Sequence, residues 1–202
     1  MDIGLAVLAG GIGRRMGADK AMLEVEGEPM LSRLARLALG AGFEPVWVAG
    51  RAHPVPGNRE GVRTLPDDLP GTGPLGGIAT VLRRTDRVFA VLAVDHPAID
   101  RAALEWLLES ARGLADDAPG LVARRGDRTE PLISVWRPEA RGAVEARLSD
   151  GDGSVARCID ALRFPGVEIP ARHLAAFRSA NTPDEWAAAR RDARLVGPEE
   201  VP

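Results

Sequence analysis

Apolar positions along this chain recur in two rhythms, and the alternation between them predicts most of its elements. Residues 3–8 read IGLAVL, an apolar run closed by Ala9-Gly10-Gly11, which predicts a short strand buried on both faces. Leu31, Leu34, Leu37 and Ala41 then fall on one helical face, so a helix is expected from about residue 29 to 41, with Pro29 in its first turn and Gly42 as its stop. EPVWVAG supplies a second buried strand and VRTL at 62–65 a third. The turn-rich stretch PDDLPGTGPLGG leads into a helix expected over about 75–84. RVFAVLAVDHP holds the most apolar strand, which ends at Asp95. A helix is expected over 102–112, strands over 120–123 and 131–136, a helix over 138–148, and a last helix opening at NTPDEW and running through WAAARRDARL.

Strand and helix alternate through most of the chain, which predicts an α/β fold: a three-layer αβα sandwich with a mainly parallel sheet, Rossmann-like. Ligands of such sheets sit at the carboxyl ends of the strands, where the loop after residue 8, the PDDLPGTGPLGG loop and Asp95 all emerge. At 202 residues and 45% apolar content one buried core is expected. Residues 1–195 are read as one domain and 196–202, VGPEEVP, as a frayed tail. A formal net charge of −3 provides no global field for nucleic acid or an anionic membrane, so any anion site must be local. The single cysteine, Cys158, rules out an intrachain disulfide and reads as a small buried hydrophobe. Residues 3–8 are too short for a membrane helix and no cationic leader precedes them, so a cytoplasmic location is expected.

Local anion chemistry is concentrated in LAGGIGRRMGADK, residues 8–20. Its glycines allow tight turns and close backbone approach, and its clustered cations suit a phosphate. Lys20 is the only lysine beside twenty-five arginines. An ammonium is a compact point charge suited to one phosphate oxygen, whereas a guanidinium is a planar fork. The dinucleotide fingerprint fails, because Met16 stands where its third glycine belongs and no acid closes the second strand. The P-loop fails too, since Asp19 precedes Lys20 and Ala21 follows it.

LAGGIGRRMGADKAML resembles the signature of the molybdenum cofactor guanylyltransferase family of nucleotidyltransferases, L-A-G-G-x-x-x-R-M-G-x-D-K. PDDLPGTGPLGGI is similar to that family's base-binding loop, LAVDHP to its metal-binding strand end, and FRSANTPDEW to its C-terminal N-T-P-E segment. The four matches follow the family's order and span residues 3–186. Val94, His96 and Ser179 depart from residues common in the family, and AGR at 49–51 lacks an asparagine that some members carry near the base. The resemblance implies attack by the terminal phosphate of molybdopterin on the α-phosphorus of GTP, with release of pyrophosphate and formation of a guanine dinucleotide. GTP and molybdopterin are the implied substrates, Mg2+ the implied cofactor, and molybdoenzyme-maturation proteins are further candidate partners.

On that resemblance the nucleotide site comprises Leu8, Ala9, Gly10, Gly11, Gly13, Lys20, Asp67, Gly73, Pro74, Leu75, Asp95 and Asn181. Backbone N–H groups of Gly10, Gly11 and Gly13 would cradle phosphates, Arg15 rather than Arg14 would grip the β/γ oxygens, and Lys20 would neutralise the α-phosphate. Asp95 would hold Mg2+, since magnesium takes few carboxylates plus substrate oxygens. The competing reading makes Asp95 a cap for the following helix. Asp67 would accept from guanine's adjacent N–H donors, with Asp68 the alternative reader or a solvated acid. Thr182-Pro183-Asp184-Glu185 is a capping box, which leaves Asn181 unexplained by local structure. His53, His173 and the four tryptophans read as structural, and Arg124, Arg125 and Arg128 as a basic patch. A cytidylyltransferase of the same cofactor, a sugar-1-phosphate nucleotidyltransferase and a non-catalytic nucleotide-binding regulator remain alternatives.

Overall fold

Seven strands form one sheet in the order β5-β4-β1-β6-β8-β7-β9. They are β1 (Gly4–Leu8), β4 (Val46–Ala49), β5 (Val62–Leu65), β6 (Phe89–Ala93), β7 (Gly120–Arg125), β8 (Arg128–Trp136) and β9 (Gly166–Glu168). The structure is a computed structural model that describes residues 2–10, 19–51, 55 and 60–195, with side chains through Ala189. Six strands share one direction and β8 alone is reversed, pairing antiparallel with both β6 and β7. A separate two-stranded hairpin joins β2 (Glu24–Val25) to β3 (Glu28–Pro29).

Strand side chains alternate between two cores, as a period of two requires. Leu5, Val7, Val46, Val48, Ala90 and Leu92 face α1 (Met30–Ala41), α3 (Arg101–Arg112) and Trp186 of α6 (Pro183–Leu195). Ala6, Trp47, Ala49, Phe89 and Val91 face α2 (Pro74–Leu82), α4 (Arg141–Ser149) and α5 (Val155–Leu162). The expected three-layer sandwich is therefore present. Trp47, Trp136 and Trp186 are buried, Trp106 is half-buried against Phe177, and Cys158 is a buried free thiol whose pKa burial raises.

Three differences from the sequence reading have local causes. Pro29 ends β3 rather than opening α1, because residues 24–29 fold into a hairpin before the helix begins. Helix α5 is additional; it carries Val155, Cys158 and Ile159 on one face and is capped by Ser154, whose side chain accepts from Arg157 N–H. Strand β9 is an edge strand with mostly exposed residues, so it lacks an apolar signature. The 196–202 tail lies outside the described residues.

Candidate active site

Four parallel strands end level with one another. Leu8 of β1 is in register with Ala49 of β4 and Ala93 of β6, and Ala49 with Leu65 of β5. Gly10, Arg51, Asp67 and Asp95 each stand two residues beyond that row, so one sheet edge gathers the three segments singled out above together with the turn after β4. The ladder continues past the strands: Val94 N–H donates to the Leu8 carbonyl at 3.2 Å, and Ala9 N–H to the Ala49 carbonyl at 3.0 Å. Gly50 has φ +89, and a Cβ there would stand 2.5 Å from the Cα of Gly10. Position 50 is therefore held to glycine by both conformation and space, which lets the chain after β1 leave close beside β4.

Asp19 fixes where Lys20 begins. Its Oδ1 accepts from Ala21 N–H at 3.1 Å, capping the 3-10 turn Lys20–Met22, and its Oδ2 accepts from Arg51 Nη1 at 2.6 Å. From that turn Lys20 Nζ donates to the Ala180 carbonyl and to Asn181 Oδ1, each at 2.8 Å, and approaches Asp95 Oδ2 at 3.4 Å. An ammonium has three donors, and here three acceptors face it. The Lys20 and Asp95 side chains are 13% and 20% exposed, so their attraction acts at a largely desolvated edge rather than in open solvent. Ala180 N–H also donates to the Asp95 carbonyl at 2.8 Å, which joins the C-terminal segment to the end of β6.

Asp95 does not cap the helix that follows it. Helix α3 is capped by Asp100, whose side chain accepts from Ala103 N–H at 2.7 Å, so the competing structural reading of Asp95 is removed. His96 beside it is buried, with Nε2 3.7 Å from Asp95 Oδ1 and its ring edge-on to Phe177 at 6.3 Å. Burial holds its pKa below the ordinary imidazole value, which keeps it neutral. The capping box is present as expected: Glu185 N–H donates to Thr182 Oγ1 at 3.2 Å, while Glu185 Oε2 accepts from the N–H groups of Thr182 and Asn181. That box leaves the Asn181 amide free to accept from Lys20.

At the far side of β1 the loop after β5 is braced against α2. Both oxygens of Asp68 accept from Arg84, at 2.6 Å each, and Asp68 N–H donates to Thr80 Oγ1 at 3.2 Å. The Arg84 hydrogen bonds hold the Asp68 carboxyl below its ordinary pKa. Asp68 is thus an anchored acid rather than a merely solvated one. Asp67 Oδ1 accepts from Leu69 N–H at 3.0 Å. Gly73 precedes α2, Pro74 is its first residue, and Leu75 is buried beneath it. The adjacent glycines have a packing reason: a Cβ at Gly76 would lie 2.0 Å from Thr72 Oγ1, and one at Gly77 3.0 Å from Leu8 Cδ2.

The structure therefore brings Lys20, Asp95 and Asn181 into contact and sets Leu8, Ala9, Gly10, Asp67, Gly73, Pro74 and Leu75 along the same edge. Gly11, Gly13, Arg14, Arg15 and His53 lie outside the described residues. His173 is buried in a 3-10 turn and its Nε2 accepts from Arg172, a structural placement. Arg125 donates to the Phe177 carbonyl at 3.3 Å and faces Glu130 at 3.4 Å; Arg128 faces Glu130 at 3.8 Å and Arg124 faces Asp127 at 3.9 Å. The basic patch is thus interleaved with acids. Sequence reasoning missed the Ala180 carbonyl, a backbone group with no residue signature, and the Asp19 and Arg84 braces, whose partners are remote.

Residues 5–164 match the family described as MobA-like NTP transferase domain. The chain belongs to that family. "Probable molybdenum cofactor guanylyltransferase" of Opitutus terrae is 36% identical over 92% of this chain and 94% of its own length. A protein of the same name from Methanothermobacter thermautotrophicus is 35% identical over 90% and 95%. "Molybdenum cofactor guanylyltransferase" of Xanthomonas euvesicatoria is 30% identical over 89% and 90%. In fold the chain is similar to molybdopterin-guanine dinucleotide biosynthesis protein A from Archaeoglobus fulgidus, with TM-score 0.75, 22% identity and coverage of 96% of this chain and 100% of that one. The expectation of a MobA-like nucleotidyltransferase on an α/β sandwich is borne out.

Proposed function

We propose that this MobA-like protein transfers GMP from GTP to the terminal phosphate of molybdopterin bearing molybdenum. Pyrophosphate leaves and a guanine dinucleotide forms. The observation that carries the reading is the meeting of Lys20, Asp95 and Asn181 at the sheet edge where the glycine loop and the PDDLPGTG loop emerge. The names of the relatives supply the nucleotide and the acceptor.

Phosphoryl-type transfer needs positioning and charge neutralisation more than covalent help from the protein. Lys20 is held by two firm acceptors and one longer contact, so its ammonium is oriented while its weakest contact, to Asp95, is the one most readily exchanged for an α-phosphate oxygen. Asp67 reads the base edge, since guanine presents adjacent N–H donors that adenine lacks. Asp68 stays with Arg84 and keeps the loop in place. In this reading Gly10, Gly11 and Gly13 supply backbone donors to the phosphates, and Arg15 supplies a fork.

A divalent metal fits the donors present. Asp95 and the Asn181 amide offer hard oxygens, and among the described residues no group of three or more His, Cys, Asp or Glu converges. A site with so few protein ligands suits Mg2+, whose remaining positions go to water and phosphate oxygens. When bound by Asp95, the metal would offset negative charge on those phosphates.

The test is pyrophosphate release with each of the four NTPs, Mg2+ and molybdopterin. GTP should be turned over in preference to the others. Turnover of CTP instead would assign the cytidylyltransferase reaction, and binding without release with any NTP would assign a regulator.

A further inference from the structure

The loop that matters here lies between α4 and α5, and the active-site assignment makes no use of it. It reads SDGDGS, residues 149–154. Asp152 is its centre. Its carboxylate accepts from Arg147, from Arg157 Nη2 at 2.6 Å and from Ser154 N–H at 2.9 Å, while Asp152 N–H donates to the Arg147 carbonyl at 2.9 Å. Both arginines and the Ser154 amide hold the Asp152 carboxyl far below its ordinary pKa. A two-helix clamp on one carboxylate fixes the backbone that follows it.

That backbone is Gly153, and it touches the loop assigned to the base. A Cβ at Gly153 would lie 2.3 Å from the Thr72 carbonyl oxygen and 3.2 Å from its carbonyl carbon. Neither atom is the end of a flexible side chain, so the contact has no give. Thr72 is equally confined from the other side, where its Oγ1 donates to the Leu69 carbonyl at 2.6 Å and stands where a Gly76 Cβ would be. Thr72 leads directly into Gly73-Pro74-Leu75, and Gly73 holds φ +71 with its Cβ position 4.0 Å from the Gly153 carbonyl oxygen. The turn before α2 is thus pressed between the first turn of its own helix and a loop some eighty residues on in the sequence.

We propose that Gly153 is a specificity-determining positioning residue: by lacking a side chain, it lets the clamped 149–154 loop seat the Thr72-Gly73 turn, and with it the base-reading edge that includes Asp67. The role is to set the position of the nucleotide base, and it rests on the guanylyl-transfer reading only for which base is preferred. The Cβ position of Gly153 meets only the Thr72 backbone, and none of the residues assigned to phosphate or metal. Its loss should therefore appear in nucleotide binding and selection and leave the chemical step alone.

The experiment compares Gly153→Ala, Asp152→Asn and Gly142→Ala with the unaltered protein, measuring kcat and KM for each NTP and melting temperature. Gly142 lies in α4 with nothing within 4 Å of its Cβ position, so Gly142→Ala should match the unaltered protein. Gly153→Ala should raise the KM for the preferred nucleotide roughly tenfold, hold kcat within about twofold, and narrow the margin over the next best NTP. Asp152→Asn adds no heavy atoms and should move KM in the same direction by roughly threefold, through a looser loop. An unchanged KM and unchanged selectivity in Gly153→Ala would overturn the proposal, as would an equal fall in kcat. Should Gly153→Ala fail to fold, Asp152→Asn decides alone, and an unchanged KM there overturns it. If CTP proves to be the substrate, the guanylyl reading fails, while the KM shift for CTP still reports on Gly153.

Discussion

Lys20 Nζ donates to Asn181 Oδ1 at 2.8 Å, joining residues 161 positions apart at the carboxyl edge of the sheet. This contact gives Asn181 a physical task that helix capping does not. Its amide oxygen orients the ammonium of the chain's only lysine beside Asp95.

Lys20→Ala should cut turnover on the order of a hundredfold, the usual loss for one transition-state donor. Lys20→Arg should not restore it, because a planar fork cannot point three donors at Ala180, Asn181 and Asp95 from one atom. Steady-state pyrophosphate release by both variants checks this. Normal rates in either remove Lys20 from the reaction.

Asn181→Ala should lower kcat about tenfold through a misoriented Lys20, with a smaller change in stability. Thr182→Ala removes the acceptor for Glu185 N–H and should cost about 1 kcal/mol of stability. Its kcat should stay within about twofold. Chemical denaturation and kinetics on the pair separate orientation of Lys20 from capping, and equal kinetic losses in both would tie Asn181 to the cap alone.

Asp95→Asn keeps the shape of the side chain and removes its charge. Calorimetry should show weakened binding of Mg·GTP, with binding of metal-free GTP little changed. Tight Mg·GTP binding together with a normal rate would exclude Asp95 as the metal ligand.

Asp67 and Asp68 should separate by phenotype. Asp67→Asn should erode the preference for GTP, whereas Asp68→Asn should act on stability because Arg84 loses its partner. The Asp68 carboxyl has its pKa lowered in the folded state from 3.8, so the unfolded chain takes up this proton first on acidification. The stability it contributes is present above pH 3.8 and is lost as pH falls through the folded value. Acid titrations of stability should therefore fall less steeply below that pH in Asp68→Asn than in the unaltered chain.

Much of this protein was legible in one dimension. Apolar runs of IGLAVL and FAVLAV type, too short for a helix and closed by glycine or an acid, read as strands buried on both faces, so their positions and the αβα layering followed from run length and alternation. The glycine loop, the solitary Lys20 and the apolar strand ending in Asp95 likewise carried their chemistry in residue type. What sequence could not carry is direction and distance. The reversal of β8, the level ends of β1, β4, β5 and β6, the capture of Asp68 by Arg84 and the press of Gly153 on Thr72 depend on which segments become neighbours. Local propensity fixes an element's period but not its partner, because pairing is chosen by the burial of whole faces. The Ala180 carbonyl, common to every residue type, became an acceptor for Lys20 only once the chain had folded around it.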